Sequence, residues 1–159
     1  SNVITTYVTE MKSMFSNCQE ITYIDLSEFN NKGKINAYCM FYACTQLQEI
    51  NFNNENNTFN FSNLYYMFYN CQKLKYLDLT NFNTENVQNM AYMFWNCIVL
   101  EEINLSSFVT KKTTNMNYMF YYCKQLKSLD LSRFRTSNLK YIDLLFSNCN
   151  SLTYLDLSN

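Results

Sequence analysis

The sequence predicts an α/β leucine-rich-repeat solenoid of about six 26-residue repeats, each supplying one short parallel strand and one helix. Three observations lead there. Cysteine recurs at Cys18, Cys44, Cys71, Cys97, Cys123 and Cys149, so five successive intervals are equal but for one insertion between Cys44 and Cys71. The same phrase returns around it, as in MFYNCQKLKYLDLTNF (67–82), MFWNCIVLEEINLSSF (93–108) and MFYYCKQLKSLDLSRF (119–134). Within each phrase the apolar spacing switches from two to three and four, the periods of a strand and of a helix.

Residues 71–97 justify the elements in order. Leu77 and Leu79 point to one face of a short extended segment and Tyr76, Asp78 and Thr80 to the other, which predicts a strand. Phe82 closes the following turn. Val87, Met90, Met93, Phe94 and Cys97 then form one stripe of a predicted helix of about three turns. Thr84 is the expected N-cap, with Thr5, Thr110 and Thr136 in the same phase. Asn96 falls where a left-handed helix end is wanted, as do Asn17, Asn70 and Asn148. Stacked repeats then yield core columns: Ile21, Leu47, Leu74, Leu100, Leu126 and Leu152; Ile24, Ile50, Leu77, Ile103, Leu129 and Leu155; Leu26, Phe52, Leu79, Leu105, Leu131 and Leu157.

Composition bounds the function. The 159 residues are 48% apolar, enough for one continuous core, and we expect a single solenoid over 1–159. Twelve basic residues against 13 acidic ones leave a net charge of −1 and predict neither a nucleic-acid partner nor an anionic membrane surface. No apolar run reaches the roughly 20 residues that span a bilayer, so membrane insertion of this segment is not expected. Histidine and proline are absent, and Gly33 is the only glycine. Nucleophile–base pairs most often use His, and phosphate cradles use glycine-rich loops, so no enzyme and no cofactor are expected. The 25 asparagines supply the residue that tolerates left-handed backbone best after glycine.

Five features are candidates for function. A polar strip follows the solvent face of the strands, with Asp25, Asn51, Asp78, Asn104, Asp130 and Asp156 at its centre, Tyr23, Tyr76 and Glu102 on one flank and Thr80 on the other. It reads either as a binding strip for a protein or glycan or as a hydrogen-bonded ladder that keeps the sheet soluble. The cysteine column reads as small buried residues with free thiols, with rung-to-rung disulfides as the alternative; without CxxC or His no metal site is expected. Cys39, outside that column, is the expected exposed thiol. Tyr42, Tyr69, Trp95 and Tyr121 form an aromatic strip that either faces outward or packs in the core. Asn56, Asn60 and Asn104 match the N-x-Ser/Thr glycan acceptor pattern. Ser1 and Asn2 share a repeat phase with Ser158 and Asn159, which predicts a segment of a longer solenoid or a unit that joins copies head to tail.

NVQNMAYMFWNC (86–97) and LKSLDLSRFRTSNL (126–139) resemble the BspA-like leucine-rich-repeat surface proteins and their 26-residue phrase NMxxMFxxCxxLxxLDLSxFxTxNV. The similarity runs nearly end to end. Lys34, Glu55 and Thr113 depart from it at usually apolar positions, and NFNNENNTFNF (51–61) is expected to bulge around the one inserted residue. The resemblance implies secretion or surface display, and adhesion or partner binding without catalysis.

Overall fold

The computed structural model describes residues 5–53 and 58–158. The chain coils as a parallel β-solenoid. Nine short strands carry it: β1 (Tyr23–Asp25), β2 (Ile35–Asn36), β3 (Glu49–Asn51), β4 (Phe59–Asn63), β5 (Tyr76–Asp78), β6 (Phe82–Asn83), β7 (Glu102–Asn104), β8 (Ser128–Asp130) and β9 (Tyr154–Asp156). One face pairs β1 with β3, β5 with β7 and β8 with β9, all parallel and one repeat apart, as in Leu77 against Ile103. A second ladder runs through β2 and β4 and continues as single bridges from Glu10 to Asn36, Asn89 to Asn115 and Asn115 to Tyr141.

The expected helix in each repeat is absent, and the leucine-rich-repeat α/β class is overturned with it: no helix occurs among the described residues. The hydrogen bonds of residues 90–97 show why. Met90, Tyr92, Phe94 and Asn96 donate their amides to Asn115, Asn117, Met119 and Tyr121 of the next rung, at 2.8–2.9 Å. Met93, Trp95 and Cys97 donate three residues back within their own rung, at 3.2–3.3 Å, and Ala91 donates to the Asn89 side chain. No amide is left for a bond to residue i−4, which an α-helix requires. Tyr92 and Asn96 have φ of 57° and 58°, and the pair recurs four apart as Ser13/Asn17, Cys39/Ala43, Tyr66/Asn70, Tyr118/Tyr122 and Leu144/Asn148. A left-handed residue at the third place of a reverse turn is the feature of type II turns. Tandem turns therefore replace the helix and still place Val87, Met90, Met93, Phe94 and Cys97 inside, because every third or fourth residue returns to the core. The asparagine slot is left-handed, but it closes a turn.

The threonines expected as caps have another task. Thr84 donates its hydroxyl to the Val109 carbonyl and accepts from the Val109 amide, at 3.0 and 2.8 Å. Thr110 does the same with Arg135, and Thr5 with Asn30. Each hydroxyl is a two-way stitch between rungs. Thr113, foreign to the apolar pattern, is buried because its hydroxyl donates to the Val87 carbonyl at 3.0 Å.

The core columns are buried through the middle of the stack and open toward its ends, with Ile103 half-buried. Phenylalanines add two ladders of their own. Phe15, Phe41, Phe68, Phe94, Phe120 and Phe146 stack ring on ring at 5.4–6.0 Å, and Phe82, Phe108 and Phe134 follow at 6.3 and 6.4 Å. The irregular rung is confined to one corner, where Phe59 stacks on Phe29 after a lengthened interval and pairs with Phe82 after a shortened one. The register then slips by one between the pairs Ile35–Phe61 and Asn36–Asn63, which leaves Ser62 as the extra residue. Glu55 lies outside the described residues, as do Ser1, Asn2 and Asn159, on which the expected phase match of the two ends rests.

Candidate functional site

The polar strip is exposed except at Asn51 and Asp156, which are half-buried, and one local geometry repeats along it. Asp25, Asn51, Asp78, Asn104, Asp130 and Asp156 each accept the backbone amide two residues on, at 2.8–3.0 Å. These Asx turns end every strand of that face and send the chain into the corner. The acceptor is a side-chain oxygen, so Asp and Asn serve equally, and Asn51 donates its amide to Asp25 at 3.2 Å where two carboxylates would repel. Hydrogen bonds from Ser27, Ser132 and Ser158 hold the carboxyls of Asp25, Asp130 and Asp156 below the usual range. Tyr76, Asp78, Thr80, Glu102 and Asn104 line a shallow depression of about 410 Å³ on this face, while Tyr23 lies two rungs earlier beside β3.

Beside the strip stands a clamp that the sequence reading missed. Glu101 takes Lys127 at 2.6 Å and Lys75 at 2.9 Å, one rung on either side. Those two lysines, Lys127 first, lower the Glu101 carboxyl. The 26-residue spacing of Lys75, Glu101 and Lys127, with alternating sign, was the available signal.

The aromatic strip is a ladder. Tyr42–Tyr69, Tyr69–Trp95 and Trp95–Tyr121 stack at 4.7, 4.4 and 5.9 Å with nearly parallel planes. A second column, Tyr66, Tyr92 and Tyr118, runs alongside at 4.8 Å steps and meets the first edge-on. All of these rings are half-buried. Their faces are spent on one another, so what reaches the surface is ring edge. Burial first of all, then neighbouring phenols, raises the Tyr66 hydroxyl far above its ordinary value.

The cysteines are free. Cys44, Cys71, Cys97 and Cys123 are fully buried, and Cys18 and Cys149 partly. Each column thiol from Cys44 onward donates to a phenylalanine carbonyl of the preceding rung at 3.0–3.2 Å: Phe15, Phe41, Phe68, Phe94 and Phe120 in turn. Burial pushes the Cys97 thiol up to about 12 and those of Cys44 and Cys149 to about 11. Cys39 departs from the expectation of an exposed thiol. It is only 9% exposed, at a left-handed position of the turn ribbon, and burial raises its thiol too.

Of the glycan acceptors, Asn104 is exposed on the strip. Asn60 is half-buried in β4, where it donates to the Thr58 carbonyl at 3.1 Å and accepts from Asn83 at 2.9 Å. Asn56 lies outside the described residues. No group of three His, Cys, Asp or Glu able to hold a metal occurs among the described residues.

A family model described as "Mycoplasma protein of unknown function, DUF285" matches residues 1–76 and again residues 62–159. The chain belongs to this family. No curated protein matches it. The two matches overlap at 62–76, where β4 and the tandem turns meet, so the DUF285 pattern covers every ladder described above. No helix of this DUF285 chain is long and apolar enough to cross a membrane among the described residues.

Proposed function

We propose that the chain is a non-enzymatic extracellular or cell-surface element, structural and adhesive, that works through repeated surfaces and stacks against further rungs at its ends. One observation carries this reading. Successive rungs meet through the same kinds of contact, namely backbone donors, ring faces, thiols from Cys44 onward and threonine stitches at Thr5, Thr84 and Thr110, and the last described rung leaves apolar surface uncovered: Leu157 is 60% exposed, and Leu131, Phe134, Leu139, Ile142 and Phe146 line an apolar recess of about 510 Å³. A further rung, of a longer chain or of a second copy, fits there by the pairing rules already in use. The likeness of the repeat phrase to the BspA-like surface proteins supports the location. Burial of the thiols suits it as well, since an inert, protonated cysteine survives an oxidising environment without pairing.

Electron microscopy of the purified chain tests the end-to-end part. Fibres with an axial period of about 29 Å, six rungs at roughly 4.8 Å each, are the expected result; discrete particles at every concentration would remove it.

A second reading has its own observation. The 410 Å³ depression between Tyr76 and Asn104 offers hydroxyl, carboxylate and amide groups beside an exposed ring, a set suited to a protein or glycan ligand. Loss of a bound ligand on Tyr76→Ala, with the melting transition intact, supports it; retention counts against it.

A further inference from the structure

The cations of this chain are not evenly placed. Residues 105–140 contain seven of its 12 basic residues, both arginines among them, against a single carboxylate, Asp130, although the whole chain nets −1. The fold gathers four of the seven at one corner. Arg133 and Arg135 flank the buried Phe134, so their side chains leave the core on the same side of the turn. Thr110 bonds both the amide and the carbonyl of Arg135, at 2.7 and 3.1 Å, which sets Lys111 and Lys112 beside it one rung earlier. Asn138 fastens that neighbouring turn through the Lys111 carbonyl at 2.7 Å. Among the described residues none of these four cations has an ion-pair partner within 4.0 Å, Glu85 on the rung before Lys111 included. Lys112 reaches only the neutral Asn86, and Arg133 the Ser106 carbonyl at 3.3 Å. Asp130 stands near Arg133 on the sheet side and offsets part of one charge.

Between the two rungs runs a groove of about 560 Å³ lined by Ser106, Ser107, Thr110, Ser132, Arg133 and Arg135. Crowded like charges on a rigid backbone are relieved by a multivalent anion, and a guanidinium matches the oxygens of a sulfate or phosphate in a two-point fork. The fork of Arg133 spends one N–H on Ser106, which orients it and leaves further donors free. Phe108 and Phe134, the rings of this corner, are buried, so nucleobases find no stacking platform. Val109 is the exposed apolar side chain here, too little to enter a bilayer.

We propose that this corner binds a sulfated polysaccharide, with Arg133 and Arg135 taking the ester sulfates and Lys111 and Lys112 supplying the field that holds the chain across two rungs. The corner borders the polar strip at Asp130 and the end recess at Phe134, but none of its four cations lines the Tyr76–Asn104 depression or that recess, so substituting them tests this proposal apart from the function proposed above. The test uses a fluorescent heparin octasaccharide, read by anisotropy over a salt series, on the full chain and on Arg133→Ser/Arg135→Ser, with Lys73→Ser, an exposed cation outside this corner, as the control. Expected are binding that weakens steeply with salt, a loss of at least about tenfold in the double variant, and no change in the control. Circular dichroism melts verify that both variants fold, which their exposed positions permit. Equal binding of the desulfated octasaccharide, equal or tighter binding of single-stranded DNA of the same charge, or an unchanged Kd in the double variant overturns the proposal.

Discussion

Leu105 and Leu157 occupy the same place in the same phrase, two rungs apart, yet Leu105 is buried and Leu157 is 60% exposed. The neighbouring column repeats the contrast: Leu129 is buried, and Leu155, one rung later, is 37% exposed. In a solenoid, then, burial belongs to the adjoining rung as much as to the residue. An identical phrase contributes a full core position, worth about 1.5–3 kcal/mol per large side chain, only where a further rung covers it.

The sharpest way to break this comparison is a charge placed at inner points of the middle and of the end. Leu77→Asp puts an unpaired carboxylate in the middle of a continuous column and is expected to cost more than about 4 kcal/mol, abolishing the cooperative urea transition. Leu157→Asp is expected to change stability by about 0.5 kcal/mol or less. Equal effects of the two would show that the assignment of inner and outer rungs is wrong. Ring truncation follows in size. Phe94→Ala, between stacked Phe68 and Phe120, is expected to lose about 3–5 kcal/mol, and Phe146→Ala, half-buried and stacked on Phe120, clearly less.

The threonine stitch distinguishes the rungs by hydrogen bonding alone. Thr84→Val keeps the shape and strands both the amide and the carbonyl of Val109, at an expected cost of about 1–3 kcal/mol in denaturant melts. Thr136 holds the same position toward the end of the stack and is exposed, and its valine variant is expected to be neutral.

These contrasts also show what is legible in the sequence. The columns of Leu, Phe and Cys are, because a fixed period decides which residues meet regardless of how the backbone runs between them. The helix is a misreading because Val87, Met90, Met93, Phe94 and Cys97 have a spacing that tandem turns satisfy equally well. The decisive information lies in backbone accounting, which side-chain pattern does not carry. In a helix the Tyr92 amide would donate to the Gln88 carbonyl; here it goes to Asn117 of the next rung. The same limit applies to the candidate site. Chain positions of the strip, the aromatic column and the thiol ladder follow from the period, but their partners depend on which rung faces which. Hence the columns of Tyr66, Tyr92 and Tyr118 and of Lys75, Glu101 and Lys127 are visible in the 26-residue period, whereas the threonine stitches, the ring stacking and the ion pairs are contacts that only the three-dimensional structure supplies.

Thiol titration gives a smaller effect with a definite sign. The Cys97 thiol is raised from 9.0 to about 12 in the folded chain. The folded state therefore holds its proton more tightly than the unfolded state does. Stability from this group is complete below its unfolded value of 9.0 and is lost as pH rises toward about 12. Urea midpoints are expected to fall from pH 8 to pH 10, and less so in Cys97→Ala. Alkylation at pH 8 is expected to reach Cys18 and Cys149 first, with Cys71, Cys97 and Cys123 reacting only on unfolding.

The smallest effect concerns the strip, where the turn caps repeat from rung to rung and the contrast between middle and end should vanish. The Asp130 carboxyl is lowered chiefly by the hydroxyl and amide of Ser132, so its contribution is present above its unfolded value and lost as pH falls through the folded one. Asn104 makes the same Asx turn with an amide oxygen and has no such loss. Asp130→Asn is therefore expected to leave the melting midpoint at pH 7 unchanged and to reduce the drop between pH 7 and pH 3. If it instead destabilises at pH 7 while Asp156→Asn does not, the carboxylate itself matters in the middle of the strip, and the strip is more than a row of turn caps.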